Sequence, residues 1–294
     1  MRNLFKKNSM NRSILVIAGG GFLGKTLLKS FRQMNPPKLG CIDIINPEIE
    51  SVNYYDVDLL NIEFEELCKI TDKYDIIINC SGQITNPINL CFRLNTEVTS
   101  SIINAIRGKQ KFLFHYSTVT VYGTVDFANE STSFNPETPY STAKSFSEYL
   151  IKSQLDIGQY CIIRLSNLYG DDQPKGVINY LIRSIKSDKI LEFNNDGDMI
   201  RYFLHVKDCA TISCELIKKN INGIFNLIGP DRYTIKTLIQ LAEKTLNCKF
   251  ITFFNKTHAW DNTKIISDSK IREVLKFEYN HSITKTLTNK INID

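Results

Sequence analysis

The residues best suited to chemistry are a tyrosine and a lysine four positions apart, in Tyr140-Ser141-Thr142-Ala143-Lys144. On a helix that spacing brings both side chains to one face. A phenol with a reference pKa of about 10 is a poor base at neutral pH, but a nearby positive charge favours its phenolate. Tyr140 could then accept or return a hydroxyl proton while a hydride leaves or joins the carbon that bears the oxygen. Thr118, in Ser117-Thr118-Val119-Thr120-Val121-Tyr122-Gly123, adds a hydroxyl that can hydrogen-bond a substrate oxygen and relay that proton. A Tyr-x-x-x-Lys pair arises by chance about once in a chain of this composition, so its position in the fold decides its meaning.

A second group of residues suits a dinucleotide. Ala18-Gly19-Gly20-Gly21-Phe22-Leu23-Gly24 spaces small residues by three, at Ala18, Gly21 and Gly24. Small residues there allow a tight turn, a close approach of backbone to pyrophosphate, and close packing of helix on strand, while the helix N-terminus supplies amide donors and a positive dipole. Asp43 follows about 20 residues later, where a carboxylate accepts hydrogen bonds from an adenosine ribose and repels a 2′-phosphate. The expected cofactor is NAD rather than NADP. Its cationic nicotinamide would be a second positive charge beside Tyr140.

These residues need a frame, and the apolar pattern supplies one. Ser13 to Ile17 reads as a buried strand, the glycines as a turn, and Phe22 to Met34 as a helix with Phe22, Leu23, Leu27, Leu28 and Phe31 on one side. Further strands are expected over Leu39 to Ile45 (ending after Asp43), Val52 to Val57, Ile76 to Cys80, Phe112 to Ser117 and Tyr160 to Leu165, with helices between them. Such alternation predicts an α/β fold, a Rossmann-type doubly wound parallel sheet with right-handed crossovers. Tyr140 then falls just past a middle strand. Residues 1–10 are expected to be a flexible tail or an upstream start, 11–169 the NAD-binding domain, and 170–294 mostly a smaller substrate lobe with segments returning to the main sheet. In that lobe helices are expected at Val177 to Lys186 and Ile235 to Thr245, with a polar loop over Asn194 to Asp198.

With these motifs in order, the chain from Ser13 onward resembles the extended short-chain dehydrogenase/reductase family of nucleotide-sugar epimerases, dehydratases and 4-keto reductases. The resemblance implies NAD contacts at Ala18, Gly21, Phe22, Leu23, Gly24 and Asp43, an adenine contact at Asp58-Leu59, and a helix asparagine at Asn95. It implies that Tyr140 and Lys144 are catalytic and also touch the cofactor, and that Thr118 is catalytic and touches the substrate. Arg164-Leu165-Ser166-Asn167-Leu168-Tyr169-Gly170 is similar to the family's Arg-x-x-Asn-x-Tyr-Gly segment, which makes Asn167 a substrate contact. The stretch from Gly197 to Asp208 resembles the one whose arginine, here Arg201, grips the nucleotide diphosphate. Phe225-Asn226-Leu227 and Asp268-Ser269-Lys270 match later signatures.

Three departures from the family pattern carry expectations. Ala18 stands where the family has glycine, and its methyl would crowd the turn. Tyr202 replaces the aspartate after Arg201, leaving the arginine without that neighbour. Val119 and Thr120 occupy the places of the dehydratases' Asp-Glu pair, so water elimination is not expected. An NAD-dependent epimerase acting through transient C4 oxidation is the leading reading. A 4-keto-sugar reductase using NADH or NADPH is the alternative, and a catalytically silent dinucleotide-binding protein a third. The family's dimer helices correspond to Asn95 to Arg107 and Ser141 to Gln154, the second carrying Phe146, Tyr149, Leu150 and Leu155, so a homodimer is expected.

Composition excludes other classes. With 43% apolar and 23% charged residues the chain is an ordinary globular protein. The net charge of +5, from 36 basic and 31 acidic residues, is scattered rather than clustered, which speaks against nucleic-acid binding. Lys6 and Lys7 form the one local basic excess, with no apolar signal segment after them and no run long enough to span a membrane, so a cytoplasmic protein is expected. Eight cysteines include no Cys-x-x-Cys pair, and three, Cys41, Cys80 and Cys161, lie in strand-like runs. Buried reduced thiols are expected, and no metal.

Overall fold

Ile14–Ile17 (β1) is a run of four apolar residues, and all four are buried because the strand is covered on both faces. Ile14 and Val16 point into one core, Leu15 and Ile17 into the other. The computed structural model describes residues 11–82, 86–170, 173–255 and 260–291, so the N-terminal tail lies outside the described residues. β1 is an inner strand of a seven-stranded, all-parallel sheet. In chain order its other strands are β2 (Leu39–Asp43), β3 (Asn53–Asp56), β4 (Ile76–Asn79), β5 (Phe112–Thr118), β7 (Tyr160–Leu165) and β11 (Gly223–Leu227). The spatial order is β11-β7-β5-β4-β1-β2-β3. Strand order reverses between β1 and β4, the place where open α/β sheets leave a crevice at the strands' carboxyl ends.

Helices cover the two faces. On one lie α1 (Phe22–Gln33) and α6 (Val206–Lys218), which bury Leu27, Leu28 and Phe31 against Cys209, Ile212 and Leu216. On the other lie α2 (Phe64–Thr71), α3 (Ile88–Ile106) and α4 (Pro139–Gln154), which bury Leu67, Ile102, Ile106 and Ile151. Burying each such side chain contributes roughly 1.5–3 kcal/mol, so the two cores dominate the sheet's stability. Pro139 fixes the first turn of α4, and a capping box between Thr138 and Ser141 satisfies amides that would otherwise be orphaned. Tyr140 is thereby held in the first turn of a firmly started helix.

The remaining elements build a smaller lobe. β8 (Asn167–Tyr169), β10 (Ile200–His205) and β12 (Asp231–Thr234) form one small sheet, and β9 (Ile190–Phe193) pairs with β13 (Ile251–Phe254). α5 (Val177–Ile185), α7 (Ile235–Leu246) and α9 (Ile283–Ile291) enclose a separate core around Leu181, Leu191 and Leu238. After this lobe begins, α6, β11 and α8 (Ser269–Val274) return to the main domain. A short parallel pair, β6 (Phe127–Ala128) with β14 (Ile265–Ile266), stitches the segment after residue 260 to the loop before α4.

Candidate active site

Thr118 is the last residue of β5, where the strand gives way to a single 3-10 turn over Val119–Tyr122. Its Oγ1 accepts from the Thr120 amide at 3.2 Å and lies 3.0 Å from the Thr120 hydroxyl. Tyr140 and Lys144 reach the same place from α4. All four side chains line one cavity of about 310 Å³, together with Asn167 and Arg201. Sequence positions scattered from 118 to 201 thus converge on a single space.

The charge relation inside the site differs from the sequence expectation. Lys144 is 3% exposed, and its ammonium donates to the carbonyls of Ser81 at 3.0 Å and Tyr116 at 2.9 Å. Burial pulls it down to about 8, while Cys80, Glu148 and Cys91 push the other way. Burial raises the Tyr140 phenol, with Cys91 adding to the rise, and Lys144 does not offset it. Without a bound cofactor the phenol is held in its protonated form, because desolvation opposes the phenolate and the ammonium is committed to two carbonyls.

A second cavity of about 340 Å³ adjoins the first and shares Leu23, Cys80 and Ser81 with it. Ala18, Gly21, Phe22, Gly24, Asp43, Asp58 and Leu59 line it. A Cβ at Gly24 would run into the Ala18 carbonyl and Gly19, so glycine there sets the close seat of α1 on β1. Gly21 is the N-cap and makes no side-chain cap, which leaves the first-turn amides facing an anion site. Asp43 accepts from the Gly20 amide at 2.9 Å and the Ile45 amide at 3.0 Å, tying the glycine turn to the end of β2. The set fits a dinucleotide: amide donors for pyrophosphate, a carboxylate at the ribose position, and an apolar wall. That wall includes Ile44 and Ile45, just past the end of the second strand, which sequence reasoning did not assign to the cofactor site. An apolar pair after the ribose aspartate was the available signal.

Some residues sit differently from expectation. Ala18 adopts φ 58°, the left-handed region that costs a residue with a Cβ, so its methyl is strained by backbone angle. Asn95 is fully buried and lines neither cavity; its Nδ2 donates to the carbonyls of Gly82 at 2.8 Å and Cys91 at 2.7 Å, which makes it a support for the Ser81–Gly82 wall. Arg201 does not bridge to Asp198, which pairs with Lys236 at 2.8 Å. In place of the missing aspartate, Arg201 Nη1 donates to the carbonyls of Ile200 and Asp261, both at 3.0 Å, and Nη2 to Trp260 at 3.2 Å. Burial lowers its pKa to about 10, with Asp261 opposing. Leu155 is buried in the core, whereas Phe146 and Tyr149 stack on the outer face of α4 at 48% and 59% exposure.

Sequence reasoning missed the polar scaffold behind the site. Glu148, one turn after Lys144, takes Arg164 Nη2 at 2.7 Å and the Ser117 hydroxyl at 2.6 Å, while Arg164 Nη1 reaches the Tyr122 hydroxyl at 2.8 Å. The family-like arginine is therefore part of a buried ion pair. His281 contacts Asp208 at 2.8 Å and stacks on His205 at 4.0 Å, a grouping that sequence reasoning did not anticipate. Among the described residues no group of three could hold a metal ion. All eight cysteines are free, five of them buried.

A glycine-turn crevice joined to a Thr-Tyr-Lys cavity defines a dinucleotide-dependent oxidoreductase or isomerase, and comparison narrows the class. The model of the NAD dependent epimerase/dehydratase family matches residues 14–228, and the chain belongs to that family. It is similar to an Escherichia coli dTDP-4-dehydro-6-deoxyglucose reductase, 26% identical over 290 residues covering 90% of this chain and 91% of that one. It is also similar to a Neisseria gonorrhoeae dTDP-glucose 4,6-dehydratase, 25% identical over 311 residues covering 90% of each. A Bacillus cereus UDP-glucuronic acid 4-epimerase, solved with UDP-glucuronic acid and NAD, shares the fold with a TM-score of 0.82, covering 95% of this chain and 98% of that one at 22% identity. Among the described residues no helix is long and apolar enough to cross a membrane.

Proposed function

We propose that the chain is a nucleotide-sugar epimerase that oxidises and re-reduces its substrate at C4, with tightly held NAD. The observation that carries this reading is the convergence of Thr118, Tyr140 and Lys144 on one cavity that adjoins the glycine-turn crevice. NAD bound in that crevice supplies a hydride acceptor and donor. Tyr140 takes the sugar hydroxyl proton and later returns it, and Thr118 holds the same oxygen and relays the proton. Lys144, with two of its three N–H donors on the Ser81 and Tyr116 carbonyls, keeps the third for the nicotinamide ribose. Asn167 and Arg201 hold the substrate, Arg201 by its diphosphate.

Among the described residues no Asp or Glu lines the Thr118 cavity, so the acid and base needed to eliminate water are missing. That favours epimerase or reductase over dehydratase. The similarity to a dTDP-4-dehydro-6-deoxyglucose reductase favours a second reading, a 4-keto-sugar reductase that runs half of the cycle. Mass spectrometry of small molecules released on denaturing the purified protein separates the two: retained NAD supports the epimerase, an empty site the reductase. The site is tested by Tyr140→Phe, followed by absorbance of bound nicotinamide with a panel of nucleotide sugars and their 4-keto forms. Hydride transfer should fall roughly 10²–10⁴-fold while NAD binding survives. Turnover as fast as the parent's would place the chemistry elsewhere and revive the silent binding protein.

A further inference from the structure

Arg201 belongs to the smaller lobe and Tyr140 to the main domain, and one residue holds the surroundings of both. Asp261 is 8% exposed and adopts φ 54°, a left-handed conformation that aspartate tolerates better than most side chains. Its carbonyl accepts from Arg201 Nη1 at 3.0 Å. Its carboxylate reaches the start of α4, accepting from the hydroxyls of Thr138 at 3.0 Å and Ser141 at 3.4 Å and from the Glu137 amide at 3.3 Å. Thr138 and Ser141 form the capping box, and Tyr140 lies between them. Among the described residues no Lys or Arg forms an ion pair with the Asp261 carboxylate.

The guanidinium completes the link. A guanidinium has five N–H donors, and the carbonyls of Ile200, Asp261 and Trp260 take three of them, two from Nη1 and one from Nη2. The two that remain among the described contacts are carried by Nε and Nη2, neighbouring nitrogens that can together face two phosphate oxygens. A phosphate there would pin the guanidinium without displacing the carbonyls. We propose that Asp261 is a positioning residue that couples a diphosphate seated on Arg201 to the ordering of the α4 first turn and hence of Tyr140. The coupling rests on the diphosphate reading of Arg201, whereas the mechanical link between Arg201 and α4 can be tested without any nucleotide.

The experiment is site-resolved hydrogen exchange at the Ser141 and Thr142 amides. In the ligand-free protein Asp261→Gly, which removes the carboxylate without strain at positive φ, should speed exchange about fivefold, the weight of one ordinary hydrogen bond. Asp261→Asn keeps one acceptor oxygen and should restore most of the protection. Arg201→Met should also speed exchange, but add nothing in the Asp261→Gly background; additive effects would overturn the link. Saturating UDP should slow exchange in the parent and leave it unchanged in Asp261→Gly, with binding to both checked by calorimetry. Equal slowing in both proteins, or binding to the parent with no slowing, would overturn the coupling. If UDP and dTDP both fail to bind the parent, the diphosphate reading of Arg201 and the coupling fall together, while the ligand-free cycle alone decides the mechanical link.

Discussion

Lys144→Met replaces a buried ammonium with an apolar side chain of similar reach, and its effect on stability should depend on pH in a direction the structure fixes. Burial lowers Lys144 from 10.5 to about 8, worth about 3 kcal/mol at roughly 1.4 kcal/mol per pH unit. Below pH 8 both folded and unfolded chains hold the proton, and the fold bears the whole penalty. Between pH 8 and 10.5 only the unfolded chain holds it, so the parent gains stability as pH rises; above 10.5 the penalty is gone. Methionine carries no such penalty at any pH. Relative to the parent, Lys144→Met should therefore lose about 3 kcal/mol of advantage between pH 8 and 10.5. Against the advantage at neutral pH stands the loss of the Lys144 hydrogen bonds to the Ser81 and Tyr116 carbonyls, about 1–3 kcal/mol for each carbonyl left unsatisfied. The sign at pH 7 is thus a near balance; the slope is not. Urea unfolding of both proteins at several pH values between 7 and 10.5 gives that slope, since titrating groups that Lys144 does not influence cancel in the difference. A stability difference that stays flat across this window would refute the account of a charged, desolvated Lys144. The same substitution should weaken NAD binding and hydride transfer together.

Three further outcomes are expected. Ala18→Gly relieves a left-handed alanine worth about 1–2 kcal/mol, less the roughly 0.5–1 kcal/mol of extra chain entropy that glycine loses; a net gain of about 0.5–1 kcal/mol should raise the urea midpoint, and a lowered midpoint would contradict it. NAD(H) should bind more tightly than NADP(H), and Asp43→Ala should narrow the gap while also loosening the glycine turn, because Asp43 holds the Gly20 and Ile45 amides; equal binding of both cofactors by the unmodified protein would sink the assignment. The exposed stack of Phe146 and Tyr149 on α4 leads us to expect a homodimer, and light scattering at micromolar concentration should return twice the chain mass; a monomer would contradict it.

Much of the site was legible because its motifs are local. A strand, a glycine turn and a helix start are consecutive in sequence, so Ala18, Gly21 and Gly24 could be placed before any tertiary contact was known. Tyr140 and Lys144 share a helix face by spacing alone. Asn95 was harder: a buried polar residue on a helix gives no sign of whether it faces a cavity or props up the loop beside one. The charge state around Tyr140 was equally hidden, because it depends on which carbonyls claim the Lys144 ammonium.

The sequence by itself determined the parallel sheet, its flanking helices and the crevice at the strand ends, since each follows from periodicity and turn chemistry within a few residues; it also singled out Thr118, Tyr140 and Lys144, which line one cavity. Only the tertiary structure decided what meets across long separations. Asp261 reaches Thr138 across 123 residues, Tyr122 meets Asn226 across 104, and His281 meets Asp208 across 73. Such contacts leave no local pattern because either partner, taken alone, is an ordinary polar residue. Their geometry is set by the strands and helices that carry them, and by the free-energy demand that buried polar groups find partners.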